Sequence, residues 1–191
     1  MQPRVRARHM KNLLAAIDRM PSHDRDPVHA RIAVTTGRTV QDASAVDWLP
    51  AQVNLEVTRA VFAGLGPEGG ARFFRGTMRD AFTGPLLRII TDAARRVLRL
   101  DPASFAGWVG TGWTLVFRDC GRWTVQRAGS GEAHVRLEEL APEYAKDRIW
   151  LASHAASFEA FFDVAATVGS VVLQEVEASH GRALYVIRWR V

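Results

Sequence analysis

"HDRDPVH", residues 23 to 29, is the densest run of potential metal ligands in the chain, with His23, Asp24, Asp26 and His29 inside seven positions. A metal needs such side chains to converge in space. Here Asp26 precedes Pro27, a pair that reads as a helix start, and His29 lies beyond it. The run is read as helix-opening residues and no metal is expected. A second chemistry can be drawn from Cys120, His154 and Asp163: a nucleophile, a base and a carboxylate to orient it. No nucleophile elbow supports it, because the only glycine-flanked serine, in "GSG", falls in a hairpin turn by composition. Cys120 reads as a small buried hydrophobe and His154 as a core or boundary residue in mid-helix. A hydrolase built on either is the third reading, behind two non-enzymatic ones.

"GWVGTGWTLVFRDCGRW" spans Gly107 to Trp123 and holds three of the six tryptophans and the single cysteine. Its start looks like a phosphate-cradling glycine loop, but such a loop follows a strand and opens a helix. Here a proline-started helical stretch comes before it, so no dinucleotide site is expected. The rings are the positive signal. Trp108, Trp113, Trp123, Phe105 and Phe117 stand at the entry to a sheet. Phe158, Phe161, Phe162 and Trp189 come from its far end. They read as core first and as the lining of a pocket or dimer face second.

The elements that must position these rings follow from the punctuation. Pro27, Pro50, Pro67, Pro85 and Pro102 each precede a stretch of helical period, which predicts helices from about those positions, after an earlier one over 4–20. "PLLRIITDAARRVLRL" is the clearest, with Leu86, Ile89, Ile90, Ala93, Val97 and Leu100 on one face and arginines on the other. Residues 35–47 read as a loop or a short helix. From about residue 120 the period becomes two. "RWTVQRA" and "AHVRLEEL" are strands joined by "GSGE". A helix follows over about 144–168, then "SVVLQEVEA" and "ALYVIRWRV" joined by "SHGR", where Gly181 can take positive φ. The expected fold is α+β: about six helices on a four-stranded antiparallel sheet of two C-terminal hairpins separated by a helix. It is expected as a single domain over 1–191, helical to about 118.

Composition narrows the class. The 191 residues are 48% hydrophobic and 24% charged, ordinary for a globular domain with a core. No apolar run approaches the roughly 20 residues of a membrane span. The basic start lacks a small-residue cleavage site, so no secretory signal is expected. One cysteine permits no internal disulfide, which fits a reducing cytoplasm. The net charge of +5 raises nucleic acid as a partner, but the arginines are scattered and not gathered in one block, so that partner is not expected.

"DWLP" (Asp47 to Pro50), "GLGPEGGARFFRGTMRDAF", the "GPLLRII" helix and the closing "RWRV" together resemble a myxobacterial paralogous family of proteins of roughly 200 residues. That family is distantly similar in layout to a ligand-binding fold shared by haem nitric-oxide sensors, vinyl-reductase-like sensor domains and vesicle-tethering transport-particle subunits. The resemblance implies a non-catalytic sensor or assembly module, often dimeric. The haem sensors carry a Tyr-x-Ser-x-Arg motif. Here Tyr144 is followed by Ala-Lys-Asp-Arg and Tyr185 by Val-Ile-Arg-Trp, so the pattern is broken and no haem is expected. The zinc-binding cysteines of some sensor relatives are also missing. The expectation is a cytoplasmic, non-enzymatic regulatory domain, a homodimer without cofactor. It would bind a small hydrophobic ligand at Trp108, Trp113, Phe117, Phe158 and Phe162. The alternative is a protein–protein adaptor with no ligand.

Overall fold

The computed structural model describes residues 2–83 and 102–190, apart from the side chains of 83, 102–104 and 108. Strand β1 (Arg4–Arg6) leads into α1 (Ala7–Asp18), α2 (Ser22–His29), α3 (Val34–Asp42), β2 (Trp48–Pro50) and α4 (Gln52–Thr83). Then come α5 (Pro102–Val116), β3 (Phe117–Arg118), β4 (Arg122–Gly129), β5 (Glu132–Glu138), α6 (Pro142–Ala145) and α7 (Arg148–Ala165). Strands β6 (Gly169–Glu177) and β7 (Arg182–Trp189) follow, joined through a 3-10 turn over Ala178–His180. The expected α+β class holds. The four strands β4 to β7 form one antiparallel sheet in the order β4-β5-β7-β6. The two hairpins are stitched together by β5 against β7, with Val135 opposite Tyr185. The tight link of the second hairpin is Gly181, at φ 62.

A second, three-stranded antiparallel sheet, order β2-β1-β3, was not legible in the sequence. It corrects two expectations. Residues 4–6, assigned to the first helix, are its central strand, and α1 begins only at Ala7. Pro50, expected to open a helix, instead closes β2 opposite Arg4. β2 is an edge strand, where a residue without an amide proton costs no ladder bond. Helix α4 starts two residues later.

The remaining prolines divide. Pro102 opens α5 as expected. Pro67 restarts α4 after a break at Gly66, whose φ of 72 and ψ of 172 are open to glycine and nearly closed to anything else. Pro27 lies inside α2, which begins at Ser22. Its missing amide forfeits one bond of a short, largely exposed helix, a loss smaller than the sequence signal implied. Residues 34–42 form the short helix rather than the loop. The predicted helix over 85–100 lies outside the described residues.

The long helix expected over 144–168 is two helices. The first ends at Ala145, and Asp147 caps the second, its Oδ1 accepting the Trp150 amide at 2.7 Å. α7 packs along α4. Arg59 Nε donates to Asp147 Oδ2 at 2.5 Å. The Arg75 guanidinium grips Asp163 through Nε at 2.9 Å and Nη2 at 2.7 Å. Both pairs are separated by 88 positions, so the two helices run in the same direction in a fixed register. The sheet packs its inner face, Trp123, Val135, Leu137, Tyr185 and Ile187, under α5 and α7. Val125 keeps the face of Trp123, opposite the buried Val135, but is 44% exposed because β4 is an edge strand, and the β4–β5 register shifts only after it, between Val125 and Arg127.

Candidate functional site

The site is an aromatic cluster where α5, α7 and β4 meet. Trp113 is its hub. It stacks on Phe117 at 4.1 Å between ring centroids and meets Trp123, Trp150 and His154 edge-on at 5.7, 6.0 and 5.1 Å. Trp150 and His154 stand one turn apart on α7, so their rings meet at 4.3 Å. Phe117 lies between His154, at 6.0 Å, and His9 of α1, at 5.9 Å. Trp123 carries the cluster on to Phe158 and Tyr185, each at 5.0 Å. Phe158 in turn meets Phe105, which stacks on Phe161 at 4.0 Å.

Four of the five residues expected to line a ligand site can be placed. Trp113 and Phe117 are in direct contact, and Phe158 joins them through Trp123. Phe162 is buried at the far end, 6.4 Å from Phe161. The Trp108 side chain lies outside the described residues. Two members of the cluster escaped the sequence reading: Trp150, which its spacing of four from His154 could have revealed, and His9, whose place depends on α1 packing against β3.

The polar atoms of these rings separate into two groups. Trp113 Nε1 donates to the Gly121 carbonyl at 3.2 Å, Trp150 Nε1 to Asn54 Oδ1 at 2.8 Å, and the Tyr185 hydroxyl to the Leu151 carbonyl at 3.0 Å. By contrast, Trp123 Nε1 and His154 Nε2 are buried without a hydrogen-bond partner, as is Thr58 Oγ1 on α4. An orphaned buried polar atom costs about 1–3 kcal/mol, so each calls for a reason. Burial pushes the His154 imidazole down to about 3, helped by the nearby His9, and burial pushes His9 down to about 4. Both rings are therefore neutral at physiological pH. In its neutral form His154 Nε2 can donate or accept according to tautomer.

The drawn triad is not assembled. Cys120 is fully buried with its thiol donating to the Arg4 carbonyl at 3.4 Å, and burial pushes it up to about 12. Asp163 lies nine residues beyond His154 on α7, roughly 13 Å along the axis, and is committed to Arg75. The "HDRDPVH" ligands do not converge either: His29 Nε2 bonds Asp18 at 2.9 Å, and Asp26 bonds Arg25. No three His, Cys, Asp or Glu side chains among the described residues are grouped to hold a metal ion. The "GWVGTGW" glycines lie inside helix α5, not in a loop.

Two open grooves are present among the described residues. One of about 270 Å³ runs beside the start of α7, along Arg59, Lys146 and Arg148. The other, about 400 Å³, lies between the end of α1 and the second half of α4, along Met20, Leu65 and Phe73. Neither reaches the aromatic cluster.

Neither a family model nor a curated protein matches the chain. Solved structures do. The Fe(II) unliganded H-NOX protein from K. algicida is similar over 100% of this chain and 97% of its own, at 8% identity and a TM-score of 0.62. A mutant H-NOX from T. Tengcongensis is similar over 97% of this chain and 98% of its own, at 9% identity and 0.57. An oxygen-binding H-NOX domain related to soluble guanylate cyclases, in its oxygen complex, is similar over 97% and 95%, at 8% identity and 0.56. The chain thus has the fold of H-NOX domains.

That fold brings a haem into question, and the described residues do not fit one. His154 is the one histidine buried in the cluster with a free ring nitrogen, yet Trp150 and Trp113 stand edge-on against its ring at 4.3 and 5.1 Å. No macrocycle-sized gap separates these rings. Tyr144 is buried among them, 5.1 Å from Trp150, with Lys146 and Arg148 exposed beside it. No helix among the described residues is long and apolar enough to cross a membrane.

Proposed function

We propose that this chain is a cytoplasmic, non-enzymatic sensor domain, a single domain over 1–191 acting as a homodimer. It takes a small hydrophobic ligand at Trp108, Trp113, Phe117, Phe158 and Phe162. The observation that carries this reading is the pair of unpartnered buried atoms, Trp123 Nε1 and His154 Nε2, on two rings that both meet Trp113. A core that needed only packing would do better with apolar side chains there. A mostly apolar site with a few polar atoms to fix orientation is the general form of a small-molecule site. Phe82 and Phe105, which bracket residues 84–101 in the sequence, meet edge to face at 6.3 Å and join Phe158 and Phe161. The fold adds support, since one solved neighbour is described as an oxygen-binding domain.

The test is native mass spectrometry of the purified protein, followed by denaturing analysis of what is released. An added mass that leaves on denaturation, and is lost in His154→Leu while the fold survives, supports the sensor. A clean apo dimer moves the reading to the adaptor without ligand.

A further inference from the structure

The small sheet carries a second feature on its outer face. Val5 points inward and is fully buried, so Arg4 and Arg6 point outward together. The register sets Arg118 and Pro50 on either side of Arg4, and Trp48 beside Arg6. Three strands drawn from positions 4, 48 and 117 thus bring three arginines and a tryptophan to one small face. Arg4, Arg118 and Pro50 are exposed, and Arg6 and Trp48 partly so.

The charges on this face are not balanced. The guanidinium carbon of Arg6 lies 3.8 Å from the Trp48 ring centroid, and that of Arg118 lies 4.5 Å from the same point. Both distances run to one centroid, so the two cations are within about 8 Å of each other. Arg4 and Arg118 are also direct cross-strand neighbours, a placement that like charges make unfavourable. None of the three arginines is ion-paired among the described residues. Arg6 gives one Nη1 bond, at 2.6 Å, to the Val46 carbonyl. The neighbouring carboxylate of Asp47 is taken by the Ser44 amide at 2.7 Å, and Asp119 follows Arg118 just past the end of β3. Arg59, Arg75, Arg122 and Arg188 have carboxylate partners, whereas among the described residues other exposed arginines such as Arg127 and Arg148 stand singly; this face differs in gathering three cations on one small sheet.

We propose that this face is a binding site for a small molecule bearing a diphosphate group. It lies on the opposite face of the small sheet from Phe117 of the aromatic cluster and does not depend on the sensor reading. A guanidinium offers parallel donors matched to phosphate oxygens, and the Trp48 ring holds two of them in place; Arg6 spends one donor on the Val46 carbonyl and keeps the others. Two cations this close suit a doubly charged, multi-oxygen group better than a lone carboxylate. The face is about two strand spacings wide, roughly 10 Å, which suits a small anion better than a nucleic-acid duplex.

The test is calorimetric titration of the full chain with inorganic pyrophosphate at low and moderate salt, on wild type, Arg6→Gln with Arg118→Gln, and Arg127→Gln. Arg127 is exposed on β4, away from this face. One site is expected, weakened about ten-fold or more in the double variant, since two charge-assisted contacts are lost. Arg127→Gln should stay within about two-fold of wild type on the same scale. Circular dichroism checks that the double variant folds. If it does not, Arg6→Lys with Arg118→Lys is used, which keeps the charge and loses the forked donors, and the same weakening is expected. No binding, or equal weakening in Arg127→Gln, overturns the proposal. So does a double variant that loses binding to phosphatidylserine vesicles but keeps pyrophosphate, which would mark a membrane-facing patch.

Discussion

Arg75 holds Asp163 by two parallel hydrogen bonds, at 2.9 and 2.7 Å, and reaches Glu159 one turn earlier at 3.3 Å. Glu159 Oε1 in turn accepts the Val171 amide at 3.3 Å, so one guanidinium ties the second half of α4 to α7 and, through it, to strand β6. The hydrogen bond from Arg75 holds the Asp163 carboxyl below its ordinary 3.8. A carboxyl with a depressed folded-state value stabilises fully above its unfolded value and loses that contribution as pH falls below it. Asp163→Asn should therefore lower stability by about 1 kcal/mol at neutral pH, a figure kept small because Arg75 is 40% exposed. The difference from wild type should shrink below about pH 3.8. Urea unfolding at several pH values checks both parts.

The buried histidines set a separate, milder acid limit. His9 and His154 are neutral in the fold, at about 4 and about 3, against 6.5 when exposed. Below pH 6.5 the unfolded chain takes up their protons first, so stability is complete above that value and falls as pH drops towards 4. His154→Leu should flatten this fall, and at pH 7 it should be neutral or stabilising, because it removes an orphaned nitrogen. Thermal melts between pH 7 and 4.5 decide it. A variant as acid-sensitive as wild type would show that His154 is charged in the fold.

Gly169 opens β6 directly against the ring of Phe162. A Cβ there would sit 2.4 Å from the ring and 2.5 Å from the Arg188 carbonyl oxygen. Gly169→Ala should cost about 2–3 kcal/mol, since neither neighbour can yield cheaply. The pair Gly169→Ala with Phe162→Leu should recover part of that loss in chemical unfolding.

At Gly66 the reason is different. No atom lies within 4 Å of a Cβ built there, yet φ is 72 and ψ is 172. Gly66→Ala should cost about 1–3 kcal/mol from backbone strain alone, or straighten α4. Straightening would disturb the common register of Arg59 and Arg75, so the Arg75→Ala change should then cost less in the variant than in wild type. A double-mutant cycle measures this.

Trp150→Phe keeps an aromatic ring in the cluster but removes the donor to Asn54, whose own amide nitrogen lies 3.5 Å from Met10 Sδ in the core. Leaving the Asn54 oxygen buried and unpaired should cost about 1–3 kcal/mol. Trp150→Phe with Asn54→Leu should regain much of it, read as a shift in melting temperature.

The sequence made the large sheet visible because each strand is long enough to show its alternation and each hairpin carries its own turn residues. Val135 and Leu137 point inward as their spacing required, and Gly131 and Gly181 take the positive φ their turns need. The small sheet was invisible for the opposite reason. Its strands have two or three residues, too few for a period, and every pairing is long-range: Val5 meets Leu49 and Phe117. The aromatic cluster was half legible. Trp113, Phe117 and Phe158 announced themselves by ring density, but that His154 would be left without a partner depends on side-chain directions no linear pattern carries. Proline was a good marker where its amide was dispensable at a helix start, as at Pro102, and a misleading one at Pro27 and Pro50.

The place of β1 in the small sheet has a consequence for how the chain reaches this structure. β1 is the middle strand, so its two edges are satisfied by segments made at very different times: β2 some forty residues later, and β3 more than a hundred. Closing a loop of that length costs entropy before any contact repays it, and contacts so distant in sequence slow folding. During synthesis β1 must wait with one edge open, and the like-charged neighbours Arg4 and Arg118 add no attraction when they meet. The first residues ordered in the sequence are then among the last to settle, and a diphosphate that bridges those arginines would act as a clasp on the final step.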